Sequence, residues 1–378
     1  MELLFAAMCV VTLVHFARHA RRGPSTHLRS VDAIVPAYNE APCLERALRN
    51  LLCNPYIHRV ICVDDGSTDA TPDVLARMSA QWGDRLVAVR QANTGKGGAL
   101  MRGLSHSTAA YVFLSDADTD VPFDKPGLGY MLAEMEAGAD AVGGIPSSDL
   151  RSAGILPHIR ATVKLPMIIV RRTFQQVVGG APFIISGACG MFRTEVLRRH
   201  PFSDRTKVED LDLTWTLVAH GYKVRQANRC IVYPQECNTV REEWKRWRRW
   251  IVGYAVCLRL HRRLLLTRFG LFSMMPIVLL ALFGAATWAV TGPAMVLAHG
   301  WPGLALMFFP WAWVLAVSVL GAISALHHRN PWLVPLASLA VLYVLLSHTI
   351  WLVHGLKGFF TGREPERDKP TRVAHVVD

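Results

Sequence analysis

The chain has 378 residues, 51% of them hydrophobic, and a formal charge of +12, enough for one large domain or two ordinary ones. It holds no internal repeat or low-complexity tract, and its 8 cysteines form no C-x-x-C pair or metal-finger spacing. Repeat arrays and zinc modules are thereby excluded, the thiols reading as reduced core groups, while the positive balance leaves nucleic acid, a membrane surface or an anionic substrate as partners.

Apolar residues are unevenly placed. A first run occupies 1–17 (M-E-L-L-F-A-A-M-C-V-V-T-L-V-H-F-A), at the short limit for crossing a hydrocarbon core. A secretory leader would start basic and end in a small-residue cleavage site, whereas here Glu2 leads and Arg18, Arg21 and Arg22 follow. An uncleaved transmembrane anchor is expected, with those arginines and the domain after them on the cytosolic side. Residues 30–240 have ordinary soluble composition.

Within that stretch, 31–36 (V-D-A-I-V-P) is a short apolar run ended by Pro36, as a buried strand would be. Leu44, Leu48 and Leu51 stand at helical spacing and predict a helix over 40–52. The run 59–64 (R-V-I-C-V-D) predicts a second strand. Asp69 and Thr71 then offer caps for a helix starting at Pro72. Further strands are predicted at 86–89 and 111–114. Strands alternating with helices imply an α/β domain with a mostly parallel, Rossmann-like sheet, which binds ligands beyond the carboxyl ends of its strands. Polar clusters lie at those ends: Tyr38, Asn39 and Glu40 after the first strand, Asp64 and Asp65 after the second, Asp116 and Asp118 after the fourth.

Carboxylates two residues apart in an extended segment point to one side. The pair suits a hard divalent cation that shares its remaining positions with phosphate oxygens. A lone D-x-D is more often a solvated acidic turn; following V-D-D-G-S-T-D in register, it points to a nucleotide site. The segment N-T-G-K-G-G-A at 93–99 is not a P-loop, because Gly97 rather than Ser or Thr follows Lys96. A glycine-rich turn with one lysine can still approach a diphosphate.

Taken in order, P-A-Y-N-E (36–40), V-D-D-G-S-T-D (63–69), N-T-G-K-G-G-A-L (93–100), D-A-D-T-D-V-P (116–122), S-G-A-C-G-M-F-R (186–193), V-E-D-L-D-L-T-W (208–215) and R-W-R-R-W (246–250) resemble the family-2 glycosyltransferases. The resemblance covers roughly 31–255 and implies a GT-A nucleotide-diphospho-sugar transferase domain acting as a hexosyltransferase. It implies that Pro36, Tyr38, Asn39, Glu40, Asp64 and Asp65 hold the uridine of a UDP-sugar. Lys96 and Asp116 would then lie on the donor, and Asp116 and Asp118 would hold Mg2+ or Mn2+ against its diphosphate. A cation there neutralises charge developing on the leaving group. By the same resemblance Asp210, beside Glu209, is the general base that takes the acceptor proton in one inverting displacement, giving a β-glycoside from an α-linked donor. The alternative is that Glu209, Asp210 and Asp212 only cap a helix. Gly187 falls in the segment beneath the donor and acceptor sugars.

The heptapeptide W-K-R-W-R-R-W at 244–250 begins a helix whose Trp244, Trp247, Ile251, Tyr254 and Leu258 share one face. With cations covering the remainder, 241–268 is expected to lie in the membrane interface. Nucleic acid is not an expected partner, since apolar segments flank the helix. Arg249 and Trp250 match the end of the family's Q-x-x-R-W motif, which implies Trp250 as a flat face for a sugar ring and a basic residue near the diphosphate. Arg246 stands where polymer synthases usually carry glutamine, and enzymes that glucosylate ceramide accept arginine there.

Residues 270–358 divide into three candidate transmembrane helices near 272–297, 303–325 and 332–356, without an acidic residue between Phe269 and Phe360 for a transporter-type proton relay. Three crossings would put the charged tail, 359–378, outside, although its composition suits the cytosol; one helix that is re-entrant or interfacial is the alternative. The implied activity is elongation of a polysaccharide at an inner or plasma membrane, as in cellulose, chitin and poly-N-acetylglucosamine synthases. Transfer of one sugar to a membrane lipid is the alternative. The partners are a UDP-sugar, a carbohydrate or lipid acceptor, the bilayer and any export component.

Overall fold

Val31, Ala33, Ile34 and Val35 are fully buried, and their run forms strand β1 (Val31–Ala37). The computed structural model describes residues 2–151, 153–276, 278–279, 290–303, 311–365 and 372. The chain divides into two compact units. A sheet unit comprises His15–Ser152, Gly180–Glu236 and Thr371–Asp378; a helical unit comprises Met1–Val14, Ala153–Gly179 and Cys237–Pro370.

After helix α1 (Glu2–His19), the sheet unit proceeds from β1 through α2 (Ala41–Cys53), β2 (Ile57–Asp64), α3 (Thr71–Trp82), β3 (Leu86–Arg90), α4 (Gly95–His106) and β4 (Tyr111–Leu114). The alternation predicted from the sequence is present. Leu44, Leu48 and Leu51 are fully buried along one face of α2, each removal from water worth about 2 kcal/mol. The glycine-rich segment at 95–99 is the first turn of α4 rather than an open turn. Then follow β5 (Thr119–Asp120), α5 (Gly127–Glu136), β6 (Ala141–Pro146), α6 (Ile155–Gly179) in the helical unit, β7 (Gly190–Arg193), α7 (Thr194–Arg199), α8 (Glu209–Ala219) and β8 (Val224–Pro234).

The strand order is β3-β2-β1-β4-β7-β6-β8-β5. Pairings from β3 to β4 are parallel, as expected. The other half is mixed: β7 runs antiparallel to both β4 and β6, and β5 is antiparallel to β8. β6 runs parallel to β8, so four of the seven pairings are parallel as expected, but the sheet is mixed in this half, and that matters for the site. Leu114, the last residue of β4, pairs with Gly190, the first of β7. An antiparallel β7 therefore brings the residues entering it to the edge where β4 releases Asp116 and Asp118.

In the helical unit α6 packs against the helix Trp311–His328, where the Ser324 hydroxyl donates to the Ala161 carbonyl at 2.5 Å and Val317, Ala337 and Ala340 bury beside Val163. The helix α9 (Val240–Leu260) packs against the helices of 340–361. Its aromatic face is partly packed within the unit: Ile251 is fully buried, while half-buried Trp247 meets Tyr343 and half-buried Trp244 meets His354 edge-on. Among the described residues no helix is long and apolar enough to cross a membrane. The candidate spans at 272–297 and 303–325 include residues 277, 280–289 and 304–310, outside the described residues, as are 366–371 and 373–378 of the tail.

Candidate active site

The loops leaving β1 and β2 are stitched together at the sheet's carboxyl edge. Asn39 adopts φ +53, a region that asparagine tolerates better than most residues. In that pose its side-chain oxygen accepts the Thr68 N–H at 2.8 Å while its own N–H donates to the Ser67 hydroxyl at 2.9 Å. The Glu40 N–H donates to the Thr71 hydroxyl at 2.8 Å, and Asp69 receives the N–H groups of Thr71 and Ala41. Half-buried Pro36 and Tyr38 and buried Glu40 lie along this edge.

Buried Asp64 accepts the Ser67 N–H at 2.9 Å and faces Arg90 Nε at 3.3 Å. Asp65 turns to α4: its carboxylate accepts the N–H groups of Thr94 at 2.8 Å and Gly95 at 2.9 Å, and the Gln91 amide at 2.8 Å. A carboxylate is favourable at a helix N-terminus, whose leading N–H groups lack helical partners. Asp65 thereby fixes the turn that presents Lys96.

Lys96 is the hinge of the site. Its ammonium lies 2.5 Å from Asp116 Oδ1 and 3.7 Å from Glu209 Oε1. A Cβ at position 187 would stand 2.7 Å from that nitrogen, so the absence of a side chain at Gly187 admits the lysine. The Gly187 N–H donates to Asp210 Oδ2 at 3.0 Å, and Asp210 Oδ1 accepts the Leu211 N–H at 2.9 Å.

The position of α8, which carries Glu209 and Asp210, is set by side chains beneath it. The fully buried Trp215 donates from its indole to the Phe183 carbonyl at 2.9 Å and meets the Phe183 ring edge-on. The Thr214 hydroxyl donates to the Asp210 carbonyl at 2.7 Å and accepts the Ile185 N–H at 3.0 Å. Asp212, the third acid of this run, holds Arg205 and Ser203.

Asp118 is paired with a residue that the sequence did not suggest. Arg372 Nη1 lies 2.5 Å from Asp118 Oδ2, while Nε and Nη2 donate to Glu40 at 2.8 and 3.0 Å. Burial pushes the Asp118 carboxyl upward, with Asp116 and Glu40 adding and Arg372 and Lys96 opposing. Burial works against the Arg372 charge, but Asp118 and Glu40 outweigh it and hold its pKa above the ordinary arginine value.

Among the described residues no group of three or more His, Cys, Asp or Glu side chains is arranged to hold a metal ion by itself. Asp116 and Asp118 nevertheless offer hard carboxylate oxygens, each drawing a side-chain cation to 2.5 Å. This donor set fits Mg2+ or Mn2+ with phosphate oxygens completing the shell.

Arg246, Arg249 and Trp250 belong to the helical unit. There Glu243, only 1% exposed, accepts the Trp247 indole N–H at 2.8 Å, pairs closely with Arg246 and Tyr343, and faces Arg160 at 3.6 Å. The guanidinium carbons of Arg160 and Arg246 stand 5.6 and 5.4 Å from the Trp250 ring centre, within cation–π range. Glu243 was legible as the acid three and four residues before Arg246 and Trp247; Arg160 and Tyr343 carried no local signal.

The glycosyl transferase family 2 pattern matches residues 32–200. The uncharacterized glycosyltransferase YaiP of Escherichia coli (strain K12) is 63% identical over 375 residues, 99% of this chain and 94% of that protein. The undecaprenyl-phosphate 4-deoxy-4-formamido-L-arabinose transferase of Enterobacter sp. (strain 638) is 31% identical over 123 residues, 31% of this chain and 36% of its own. Among solved structures, the mannosyltransferase PcManGT from Pyrobaculum calidifontis, in complex with GDP-Man and Mn2+, has a TM-score of 0.61 at 22% identity, over 93% of this chain and 97% of that one, a likeness of fold. With the motifs of the sheet unit gathered at one sheet edge and a relative so similar along nearly its whole length, the chain belongs to glycosyl transferase family 2 and is a hexosyltransferase.

Proposed function

We propose that the protein moves a sugar from a UDP-sugar to an acceptor hydroxyl with inversion, elongating a polysaccharide at a membrane. One observation carries this reading: a run of contacts from Asp116 through Lys96 to Glu209 and, past Gly187, to Asp210. It joins a leaving-group side to a proton-accepting side.

Asp116 and Asp118 would hold Mg2+ or Mn2+, which when bound supplies positive charge to the departing diphosphate. Lys96 adds a fixed positive charge on the same side, in space that Gly187 leaves open. Asp210, oriented by the Gly187 N–H, receives the acceptor proton as the acceptor oxygen bonds to C1 and the C1–O bond to the diphosphate breaks.

A bilayer location is supported by the helical unit's exposed apolar side chains, among them Leu266 at 96%, Leu297 at 86%, Leu326 at 82% and Phe360 at 76%. On this reading the sheet unit faces the cytosol of an inner or plasma membrane.

Single-sugar transfer to a membrane lipid is the second reading, favoured by Arg246 and by the undecaprenyl-phosphate transferases among the relatives. An acceptor phosphate is largely ionised near neutral pH and needs no base, whereas a hydroxyl does. The placement of Asp210 therefore favours a hydroxyl. Purified protein in nanodiscs, given Mn2+ and radiolabelled UDP-glucose, UDP-N-acetylglucosamine, UDP-galactose or UDP-glucuronate in turn, separates the two. A ladder of oligosaccharides supports elongation and a single glycolipid supports the second; no UDP release from any donor contradicts both.

A further inference from the structure

We infer that the helical unit holds the phosphate group of a single lipid molecule on Arg171 of α6 and Tyr254 of α9, residues that take no part in the transfer chemistry. This rests on the bilayer location proposed above. Among the described residues no carboxylate pairs with Arg171, and its Nε is buried without a hydrogen-bond partner. Burial holds the Arg171 pKa below the ordinary arginine value, with Tyr254 opposing. Both side chains are nonetheless only half-buried, so the guanidinium can be reached from outside. Farther along the same two helices the charge is met from within, where Arg160 and Arg246 share Glu243. A cation set deep in protein is costly unless an anion joins it, and here the chain supplies none. The planar guanidinium fork matches a pair of phosphate oxygens, and the Tyr254 hydroxyl can donate to a third.

Two further observations point to a lipid as the carrier of that phosphate. The Thr12 hydroxyl of α1 donates to the Val170 carbonyl at 3.3 Å, which sets Arg171 beside the expected anchor. Thr12 stands about 9 Å along α1 from Arg18, the first of the arginines expected on the cytosolic side, near the depth where acyl chains meet headgroups. The surroundings are apolar as well. Val177 of α6 is 41% exposed, and Leu271, in the short helix packed against α6, is 56% exposed. A hydrocarbon tail would cover such side chains, whereas a free phosphate would leave them bare.

The test titrates farnesyl phosphate, dioctanoyl phosphatidic acid and inorganic phosphate calorimetrically into the full chain in detergent. Wild type, Arg171→Met, Arg171→Lys and Arg263→Met, the last an exposed cation, are compared. Wild type should bind the lipid phosphates saturably, and Arg171→Met should bind them at least about 10-fold more weakly, the loss of one hydrogen bond to a charged group. Arg171→Lys should retain part of the affinity and Arg263→Met all of it. Preference for farnesyl phosphate assigns the site to an isoprenoid carrier, and preference for phosphatidic acid assigns it to a diacyl lipid. Inorganic phosphate binding as tightly as either would overturn the lipid assignment. Saturable binding missing in wild type, or unchanged in Arg171→Met, would overturn the site. Without lipid, Arg171→Met should melt no lower than wild type, because it removes an uncompensated charge; a lower melting temperature would make Arg171 structural and overturn the proposal. Vesicle incorporation separates the two readings: wild type that enters vesicles but fails the titrations overturns the site alone, and wild type that stays out overturns both.

Discussion

Gly187 and Lys96 fit together so closely that a methyl group at 187 would stand 2.7 Å from the lysine nitrogen. Ordinary contacts do not reach that distance, so Gly187→Ala must move the ammonium away from Asp116. The flexible end of the lysine gives way more readily than the backbone, and the fold should persist. Turnover should fall about 10- to 100-fold, the scale on which small misplacements act. Measuring kcat beside the melting temperature checks this; full activity with an alanine would show that Lys96 is not held for chemistry.

Asp116→Asn and Asp118→Asn each remove a charge from the candidate cation site. Either should lower turnover by about 100-fold or more, as loss of a transition-state electrostatic contact does, and chelation of divalent ions should silence the wild type. Metal-independent turnover in the wild type, measured after EDTA treatment, would contradict the assignment.

Glu243 is a buried anion between Arg160 and Arg246. Glu243→Leu leaves two cations without their shared partner, a loss on the order of 3–5 kcal/mol. The variant should melt well below wild type in detergent, whereas Glu243→Gln, which keeps hydrogen-bonding capacity, should fall between. Equal melting of wild type and the leucine variant would show that the network contributes nothing to stability.

Asp32 sits fully buried within β1. Burial opposes its charge, but the Ser107 hydroxyl, Arg59 and His58 outweigh it and depress its pKa below the ordinary 3.8. A depressed carboxyl stabilises the fold above its unfolded value and loses that contribution as pH falls through the folded value. Asp32→Asn should therefore melt lower than wild type near neutral pH, with the gap narrowing below about pH 4. A gap that is constant across that range would mean the charge is irrelevant.

The parallel half of the sheet was legible because each strand is a short apolar run closed by a polar cluster, and parallel pairing aligns those clusters on one edge. The mixed half was not, since the direction of β7 depends on pairings with β4 and β6 that no local pattern encodes. The first turn of α4 was hidden by its glycines, which weaken a helical signal, and by Asp65, whose capping contact comes from another strand's end. The aromatic face of α9 is apolar as read, but what covers it is decided by residues about 100 positions away. Asn39 and Asp65 show the same limit: both lie where the motif puts them, with side chains engaged in shaping the loops.

The most direct measurement pairs donor affinity with turnover in Asp210→Asn. Isothermal titration with the UDP-sugar that supports activity, in Mn2+, gives the first, and UDP release in the presence of acceptor gives the second. The account predicts donor binding close to wild type with transfer abolished, because the donor side is built by Asp116, Asp118 and Lys96 and only the acceptor proton depends on Asp210. Turnover at the wild-type rate in that variant would contradict it.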